Sequence, residues 1–403
     1  MNRQLKIIMK ERYGKFVLIG VLLIACYYLF LIQGSISGWY ETRSWNHSEK
    51  FRQEYRENPD AYVDYWDDEK PVYYTSIEEY IKGNSYLFFK MNEQDSLATR
   101  ENKEVEPEVS YGSTFRSEAT IIFLAVFFIV GFLLFFVDLK TNFNTFLFSL
   151  GVTRTEIFIE KLKTVAIPLF SVLLLCKLAF IASFYLFIPH EFINVHLSTL
   201  LLTLINGYIF TFFFFTCGVF IGILTGNLLF GPVIAFAFFS STLVIKTALV
   251  NYILVFESLV GGNLLYNYFN YNQSYLDIGK STISVEGCIA LAVVSLVLLF
   301  ISWRAFHQLS LEKSSQNLLL DGYRLPISIL IIVYSCFLVW GIQFVYSLII
   351  YPEQPANIPY FVSRALISGG MISLVTVGTI YFTPIKKRIR LWQEKRRQEN
   401  KLN

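Results

Sequence analysis

The chain is short of charged residues and of the residue patterns that carry catalysis. Only 16% of its 403 residues are charged, whereas a soluble protein of this size carries about a quarter. Its four histidines and five cysteines do not recur at metal-ligand spacing. A phosphate-binding loop, a nucleophile elbow and a zinc-protease motif are also missing from the sequence. These shortages argue against an ordinary soluble enzyme, and they predict no catalytic residue, no metal and no cofactor bound by this chain.

The sequence is rich instead in apolar runs about twenty residues long. Hydrophobic residues make up 54% of it and the mean hydropathy is +0.47. Such runs cross a bilayer as helices, because a backbone in lipid must satisfy its own hydrogen bonds. The predicted fold is an all-α polytopic integral membrane protein, with about eight transmembrane helices and a small extracellular domain between the first and second. The predicted spans are 16–33, 119–137, 165–188, 197–224, 228–250, 288–302, 327–350 and 361–382.

The segments between the spans differ in character. Residues 1–15 mix basic and apolar side chains and predict an interfacial amphipathic helix on the cytoplasmic leaflet. Residues 34–117 are the predicted extracellular domain, whose tyrosines and tryptophans could form a small core, rest on the membrane surface or contact a ligand. The other predicted parts are a transmembrane core, 118–309, with a re-entrant outer segment at 251–287, then a cytoplasmic loop with the last two spans, 310–383, and a basic cytoplasmic tail, 384–403.

Two short helices are predicted in the extracellular domain. Asn46 with Glu49 fits a capping box for a helix that ends before Pro59. Ser76 with Glu79 fits a second capping box, for a helix that ends at Gly83.

The distribution of basic residues predicts the orientation. Eight spans place both termini on one side, which holds about 20 of the 34 basic residues and about 8 of the 31 acidic ones. The other side holds about 12 basic and 23 acidic residues, mostly in the polar domain. Because basic residues concentrate in cytoplasmic loops, we expect a bacterial cell-membrane protein with both termini in the cytoplasm.

One segment between the second and third spans, 140–163, is markedly more polar than its neighbours. Four apolar side chains in it recur at helical spacing and predict a short amphipathic helix over 141–150. They are Phe143, Phe146, Leu147 and Leu150. Gly151 suits the left-handed conformation that ends a helix, and Thr153 with Glu156 fits a capping box that opens the next one. The segment therefore predicts two helices joined by a tight turn.

This segment resembles the coupling element of an ABC transporter permease of the type-2 exporter class. In that family a short cytoplasmic helix ends in a pattern such as S-L-P-V-S-R-x-E-I, with a lysine beyond it. The matching run here extends from Ser149 to Ile157 and reads S-L-G-V-T-R-T-E-I, followed by Lys161. Glycine replaces the family's frequent proline and threonine its frequent serine, and both keep the turn and cap chemistry. The resemblance covers about residues 1–309, and the two further spans match an eight-span variant found in some Gram-positive permeases.

The resemblance implies a permease subunit of an ATP-driven exporter of a peptide, lipid, drug or polymer, antimicrobial peptides among them. It implies two copies of a separate ABC ATPase subunit, which would hold ATP and magnesium, and a second permease subunit, identical or related. Membrane lipid is the other expected partner, and nucleic acid is not one. The implied coupling residues are Phe143, Phe146, Leu147, Leu150, Gly151, Arg154 and Glu156. Apolar members of this set would enter a groove on the ATPase, with Arg154 and Glu156 at its rim.

Lys177 is a basic residue near the middle of the predicted third span. An unpaired cation there costs at least about 2.5–3.5 kcal/mol, so its side chain should face protein or water rather than lipid. It could snorkel or hold an internal partner. The functional alternative is contact with an anionic substrate group in the transport path.

Gly218, Gly222 and Gly226 recur every four residues along the predicted fourth span. Small-residue stripes of this kind let two helices approach closely, either within the subunit or across a dimer. The first alternative is favoured.

Two other functions stay open: an integral-membrane enzyme that acts on lipid-linked substrates, and a non-transporting immunity or sensor protein that keeps the permease fold.

Overall fold

The computed structural model describes residues 3–67, 70–74, 76–90, 111–113, 120–260, 285–309, 317–319, 321–345 and 358–402. In these ranges the chain is mainly helical, with four short strands near the first third of the sequence. In chain order the elements are α1 (Arg3–Asn46), α2 (Glu49–Glu57), β1 (Val63–Asp67), β2 (Lys70–Tyr73), α3 (Ile77–Ser85), β3 (Phe88–Lys90), β4 (Tyr111–Ser113), α4 (Thr120–Lys140), α5 (Phe143–Ser149), α6 (Arg154–Phe187), α7 (Leu197–Leu224), α8 (Phe230–Val260), α9 (Val285–His307), α10 (Arg324–Trp340) and α11 (Ile358–Leu402).

Seven of the described helices are long and apolar enough to cross a membrane. They are α1, α4, α6, α7, α9, α10 and α11. Helix α8 has a shorter apolar stretch, Phe230–Thr242. The prediction of a mainly helical, multi-pass membrane protein is therefore confirmed, while the count of eight spans stays a prediction.

Helix α1 joins two elements that the sequence analysis separates. The predicted interfacial helix and the first span form one helix of 44 residues, which is about 66 Å long at the usual rise. The hydrocarbon core of a bilayer is only about 30 Å thick, so the helix extends well beyond it. Leu5, Met9 and Tyr13 are buried at helical spacing, which gives the first turns a packed face of their own.

The helix predicted to open after Thr153 continues into the third span as one helix, α6, which runs through Pro168. One further boundary differs from the prediction. Helix α8 runs to Val260, ten residues into the predicted re-entrant segment, and residues 261–284 lie outside the described part of the chain.

The chain forms two compact units. The first comprises Met1–Val126, Glu156–Phe214 and Tyr271–Leu296, and the second comprises Phe127–Thr155, Phe215–Asn270 and Val297–Asn403. In the first unit α1 and α6 lie side by side. Gly20 meets Leu169, the rings of Tyr28 and Phe180 are 6.4 Å apart, and the Tyr40 hydroxyl donates to the Phe187 carbonyl at 2.6 Å. From the first pair to the last, the residue numbers increase on both helices, so α1 and α6 run parallel.

The polar domain of the first unit has a small aromatic core. Rings of Phe51, Tyr55, Tyr62, Tyr74 and Tyr80 contact one another, with centroids 5.1 to 6.1 Å apart. Burial, together with Tyr80 and Glu79 nearby, raises the pKa of the Tyr55 hydroxyl above its usual 10.0, so this group stays neutral. Of the three roles open to these aromatics, packing against one another is the one that the structure displays.

The two predicted short helices of this domain are present. Helix α2 ends at Glu57, just before Pro59, but its N-cap is Ser48, whose hydroxyl accepts from the Phe51 amide at 3.1 Å. Asn46 does not cap it, because α1 continues through that residue. Helix α3 has the predicted cap, the Glu79 amide donating to the Ser76 hydroxyl at 3.1 Å, and it continues two residues past Gly83.

Specific contacts attach this domain to α1 and to the turn between α6 and α7. The Trp39 indole donates to the Ser85 carbonyl at 2.9 Å. The Phe88 amide donates to the Asn194 side chain, which donates back to the Phe88 carbonyl at 2.6 Å. The Arg43 guanidinium lies over the rings of Trp39 and Phe192. Strands β1 and β2 pair antiparallel, as do β3 and β4.

The second unit is held by contacts between successive helices. The Ser241 and Tyr334 hydroxyls, on α8 and α10, are 2.8 Å apart, and the Trp340 indole on α10 donates to Ser368 on α11 at 3.1 Å. The chain after α9 returns to the end of α7, where the Leu319 amide donates to the Leu224 carbonyl at 2.9 Å. Asn317 beside it donates to the Thr379 carbonyl of α11 at 2.7 Å. The last helix is thus tied to the end of α7.

Candidate functional site

The backbone of the polar segment bends at two left-handed residues that flank α5. Asn142, with φ 56°, precedes α5, and Gly151, with φ 66°, follows it. In the described part of the chain, these two residues alone have a left-handed φ. The left-handed conformation of Gly151 was predicted, and that of Asn142 was not. Asparagine is one of the residues that tolerate this conformation best after glycine. The next helix, α6, begins at Arg154, directly after Thr153. We call residues 141–155 the elbow.

Helix α5 divides its apolar side chains between two faces. Leu147 is 0% exposed and Asn144 beside it is also buried, while Phe146 remains 47% exposed. Phe143 and Leu150 are half-buried, and the Phe143 ring stacks on the Phe146 ring with centroids 6.0 Å apart. Leu147 therefore packs inside the structure, and Phe146 is the side chain that the elbow presents outward.

Arg154 is engaged inside the second unit. Its Nη1 donates to the carbonyl of His307 at 2.6 Å and to the carbonyl of Leu309 at 2.8 Å. Its guanidinium carbon lies 4.7 Å from the centre of the Phe148 ring. The rim position that the resemblance implies for Arg154 stays a prediction, and within the second unit its guanidinium is directed to the end of α9. Glu156 is half-buried in the first turn of α6, where the helix dipole stabilises a carboxylate.

Lys177 lies inside the first unit, where it is only 2% exposed. Helices α6 and α7 are neighbours, since the Phe170 ring contacts the rings of Tyr208 and Phe212. They run antiparallel because only the short segment 188–196 connects them. At a helical rise of about 1.5 Å per residue, this register places Lys177 at the depth of Thr203.

Around that depth α7 has a buried polar face that sequence reasoning missed. Thr199, Thr203 and Asn206 are spaced to share one side of the helix, and all three are fully buried. The Cys288 thiol of α9 donates to the Asn206 side-chain oxygen. Threonine and asparagine at positions i, i+4 and i+7 of an apolar run are a sequence signal that could have revealed this face.

The glycines of α7 lie directly against the backbone of α4. A methyl group added at Gly218 would be 2.1 Å from the Phe128 carbonyl oxygen, and one added at Gly222 would be 2.4 Å from the Phe132 carbonyl oxygen. Gly131 of α4 faces back in the same way, since a methyl group added there would be 2.3 Å from the Phe215 carbonyl oxygen. Gly226 lies beyond α7, which ends at Leu224, and its amide donates to the Asn317 carbonyl at 3.4 Å. The close approach is therefore within one subunit.

The described residues contain no group of three or more His, Cys, Asp or Glu side chains that could hold a metal ion. No family model, no curated protein and no solved structure matches this chain. The elbow and the ends of the helices that contact it are therefore the candidate site.

Proposed function

We propose that this chain is the membrane-spanning permease subunit of an ATP-driven ABC exporter. The observation that carries the proposal is the elbow, a short helix set between two membrane-crossing helices that buries Leu147 and presents Phe146. A simple connection between two spans needs no exposed aromatic ring on a helix that is anchored by a buried leucine. An exposed aromatic on a well-anchored helix suits contact with a partner subunit, because such rings supply much of the energy of protein interfaces.

The partner in this proposal is an ABC ATPase. The sequence has no phosphate-binding loop, so ATP and magnesium would be bound and hydrolysed on two separate ATPase subunits. Two permease subunits, identical or related, would enclose the path between them. Closure of the ATPases on ATP would push on the elbow and tilt α4 and α6, which continue from its two ends.

The proposed orientation supports this arrangement. Eight spans with both termini in the cytoplasm of a bacterial cell would put the elbow in the cytoplasm, where ATP is. The polar domain at 34–117 would then be extracellular. Lys140, Arg154, Lys161 and Lys163 supply four of the about 20 basic residues on that side, and the remaining 16 or so still exceed the about 12 on the other side.

Purification of the tagged chain from membranes of its native host tests the proposal. We expect an ABC ATPase subunit to accompany it in about equal amount and the purified complex to hydrolyse ATP. Stimulation of that hydrolysis by a transported substrate would separate an exporter from an immunity or sensor protein. If the folded chain purifies without any ABC ATPase subunit and without ATP hydrolysis, the proposal is wrong.

The orientation has its own test, in a variant that lacks the five native cysteines. A cysteine at Ser96 should react with a membrane-impermeant maleimide in intact cells, because residues 34–117 are proposed to be outside. A cysteine at Ser315, in the proposed cytoplasmic loop, should react only after the cells are permeabilised. Labelling of Ser315→Cys in intact cells would contradict the eight-span arrangement.

Lys177 supplies a prediction about the substrate. Its cationic side chain is buried inside the first unit, and in the proposed exporter it would meet an anionic part of the substrate when the transport path opens. Lys177→Met should impair export of an anionic substrate while the amount of assembled complex and its basal ATP hydrolysis stay at the parent level. Leu175→Met, on the exposed side of the same helix, is the control. Unchanged export by Lys177→Met would restrict this lysine to a structural role.

A further inference from the structure

We propose that Arg154 is a positioning residue that locks the elbow to the end of α9, so that movement of the elbow is delivered to α9. The inference deepens the proposed function and rests on it, because it names the helix that would respond when a partner pushes on α5. Helix α9 is far from the elbow in the sequence. Nothing in the chain connectivity requires the two to move together.

The end of α9 offers backbone carbonyls to a charged donor. The last carbonyls of a helix have no amide partners of their own and carry partial negative charge. Arg154 donates from one nitrogen to two carbonyls in this region, those of His307 and Leu309. Hydrogen bonds from a charged donor are stronger than neutral ones, and both are short. The guanidinium thus supplies hydrogen-bond donors to the end of a helix that is distant in the sequence.

A row of aromatic rings links the elbow to α9. The Arg154 guanidinium lies over Phe148 of α5, and the Phe148 ring meets the Phe306 ring at 5.9 Å. Phe306, which is 1% exposed, also contacts Phe135 of α4 at 5.5 Å. Close packing of this kind passes displacement from one element to the next, because a packed interior has little free volume to absorb it.

Helix α9 has a second point of attachment to the elbow one turn earlier. The Trp303 indole donates to the Thr155 hydroxyl at 3.2 Å, and Thr155 is the neighbour of Arg154. The elbow therefore holds α9 at two heights, at the Trp303 side chain and at the backbone carbonyls that follow it.

Arginine is suited to this role in a way that lysine is not. The planar guanidinium can donate to two carbonyls while its face rests on an aromatic ring. A lysine ammonium keeps the charge but concentrates it at one point and has no face to stack. We therefore expect Arg154→Lys to restore part of what Arg154→Ala loses.

Hydrogen exchange of the purified permease, without any ATPase, tests the lock itself. In Arg154→Ala the amides of residues 301–309 should exchange about tenfold faster than in the parent, since the last turn of α9 loses its charged partner. Arg154→Lys should fall between the two. Arg52→Ala removes an arginine from a surface ion pair with Glu78 and should leave residues 301–309 unchanged. Parent-like exchange in Arg154→Ala would overturn the proposal.

Exchange in the presence of the partner ATPase and ATP tests the transmission. In the parent, nucleotide should change the exchange of residues 301–309, whereas in Arg154→Ala it should not, although the ATPase still co-purifies. A merely structural role would leave the nucleotide response in place, and that result would overturn the proposal. If the parent binds no ATPase at all, the proposed function fails, while the exchange of the isolated permease still reports on the lock.

Discussion

Gly218→Leu is expected to prevent the normal packing of α4 against α7 and to leave little folded protein. Even the first carbon of the new side chain would lie 2.1 Å from the Phe128 carbonyl oxygen and 2.9 Å from the Phe132 amide nitrogen. These are backbone atoms of another helix, which cannot rotate away as a side chain could. Overpacking a closely packed site usually costs about 1–3 kcal/mol, and more where backbones must separate. The helices can avoid the clash only by moving apart, which opens the contacts along the whole crossing.

The control for this experiment is the same substitution at Gly378 in α11. An added carbon there meets no atom within 4 Å, so Gly378→Leu should fold like the parent. The measurement is the yield of monodisperse protein in mild detergent together with its melting temperature, and Gly218→Ala should lie between Gly218→Leu and the parent. If Gly218→Leu is as abundant and as stable as Gly378→Leu, the two helices do not depend on this close approach.

The glycine crossing illustrates which packing features can be predicted from a sequence. A stripe of small residues is a local pattern, so Gly218 and Gly222 could be singled out from their spacing. Gly131 on the partner helix could not be, because it is a single glycine without a period. Which helix faces the stripe depends on the tertiary arrangement, about which a local spacing has nothing to say.

The elbow shows the same division between local and distant causes. Its short helix, the left-handed Gly151 and the new helix after Thr153 follow from propensity and capping chemistry of adjacent residues, and the structure has them. The engagement of Arg154 could not be predicted, because its acceptors are backbone carbonyls more than 150 residues away. Every residue has such a carbonyl, so it leaves no mark in the sequence.

Boundaries between helices were the weakest part of the sequence prediction, for a related reason. The polar stretch after the first span has a composition typical of a loop, yet α1 continues through it to Asn46. Trp39 in this stretch is buried and bonded to Ser85, so tertiary contacts hold the helix where hydropathy predicts its end. Amphipathic spacing alone does not report that a polar extension has found a surface to pack on.

The division of α5 into an inward and an outward face yields the prediction with the most direct bearing on function. Phe146→Ala combined with Leu150→Ala should weaken binding of the ATPase without lowering the amount of folded permease. Phe146 is 47% exposed and Leu150 is half-buried. Truncation of both side chains should therefore remove area from the proposed interface with the ATPase more than from the core. Truncation of an interface anchor costs about 2 kcal/mol or more, which corresponds to roughly a thirtyfold loss of affinity.

Leu147→Ala separates this effect from simple damage to the elbow. Leu147 is fully buried, so its truncation should destabilise the permease itself, by about 2–5 kcal/mol where the site cannot collapse. Ile129→Ala with Leu133→Ala removes similar apolar groups from the exposed face of α4 and should change neither folding nor ATPase binding.

The three variants are compared by co-purification with the ATPase, by ATP hydrolysis and by transport in reconstituted membranes, each scaled to the amount of folded permease. The Phe146 and Leu150 variant should selectively lose ATPase binding or coupling. Leu147→Ala should lose folded protein, and the α4 control should lose neither. A Phe146 ring that only rests at the membrane surface could be truncated without any effect on ATPase binding. If the double variant binds the ATPase and transports like the parent, α5 is a connection between two spans and the coupling proposal fails at its central residue.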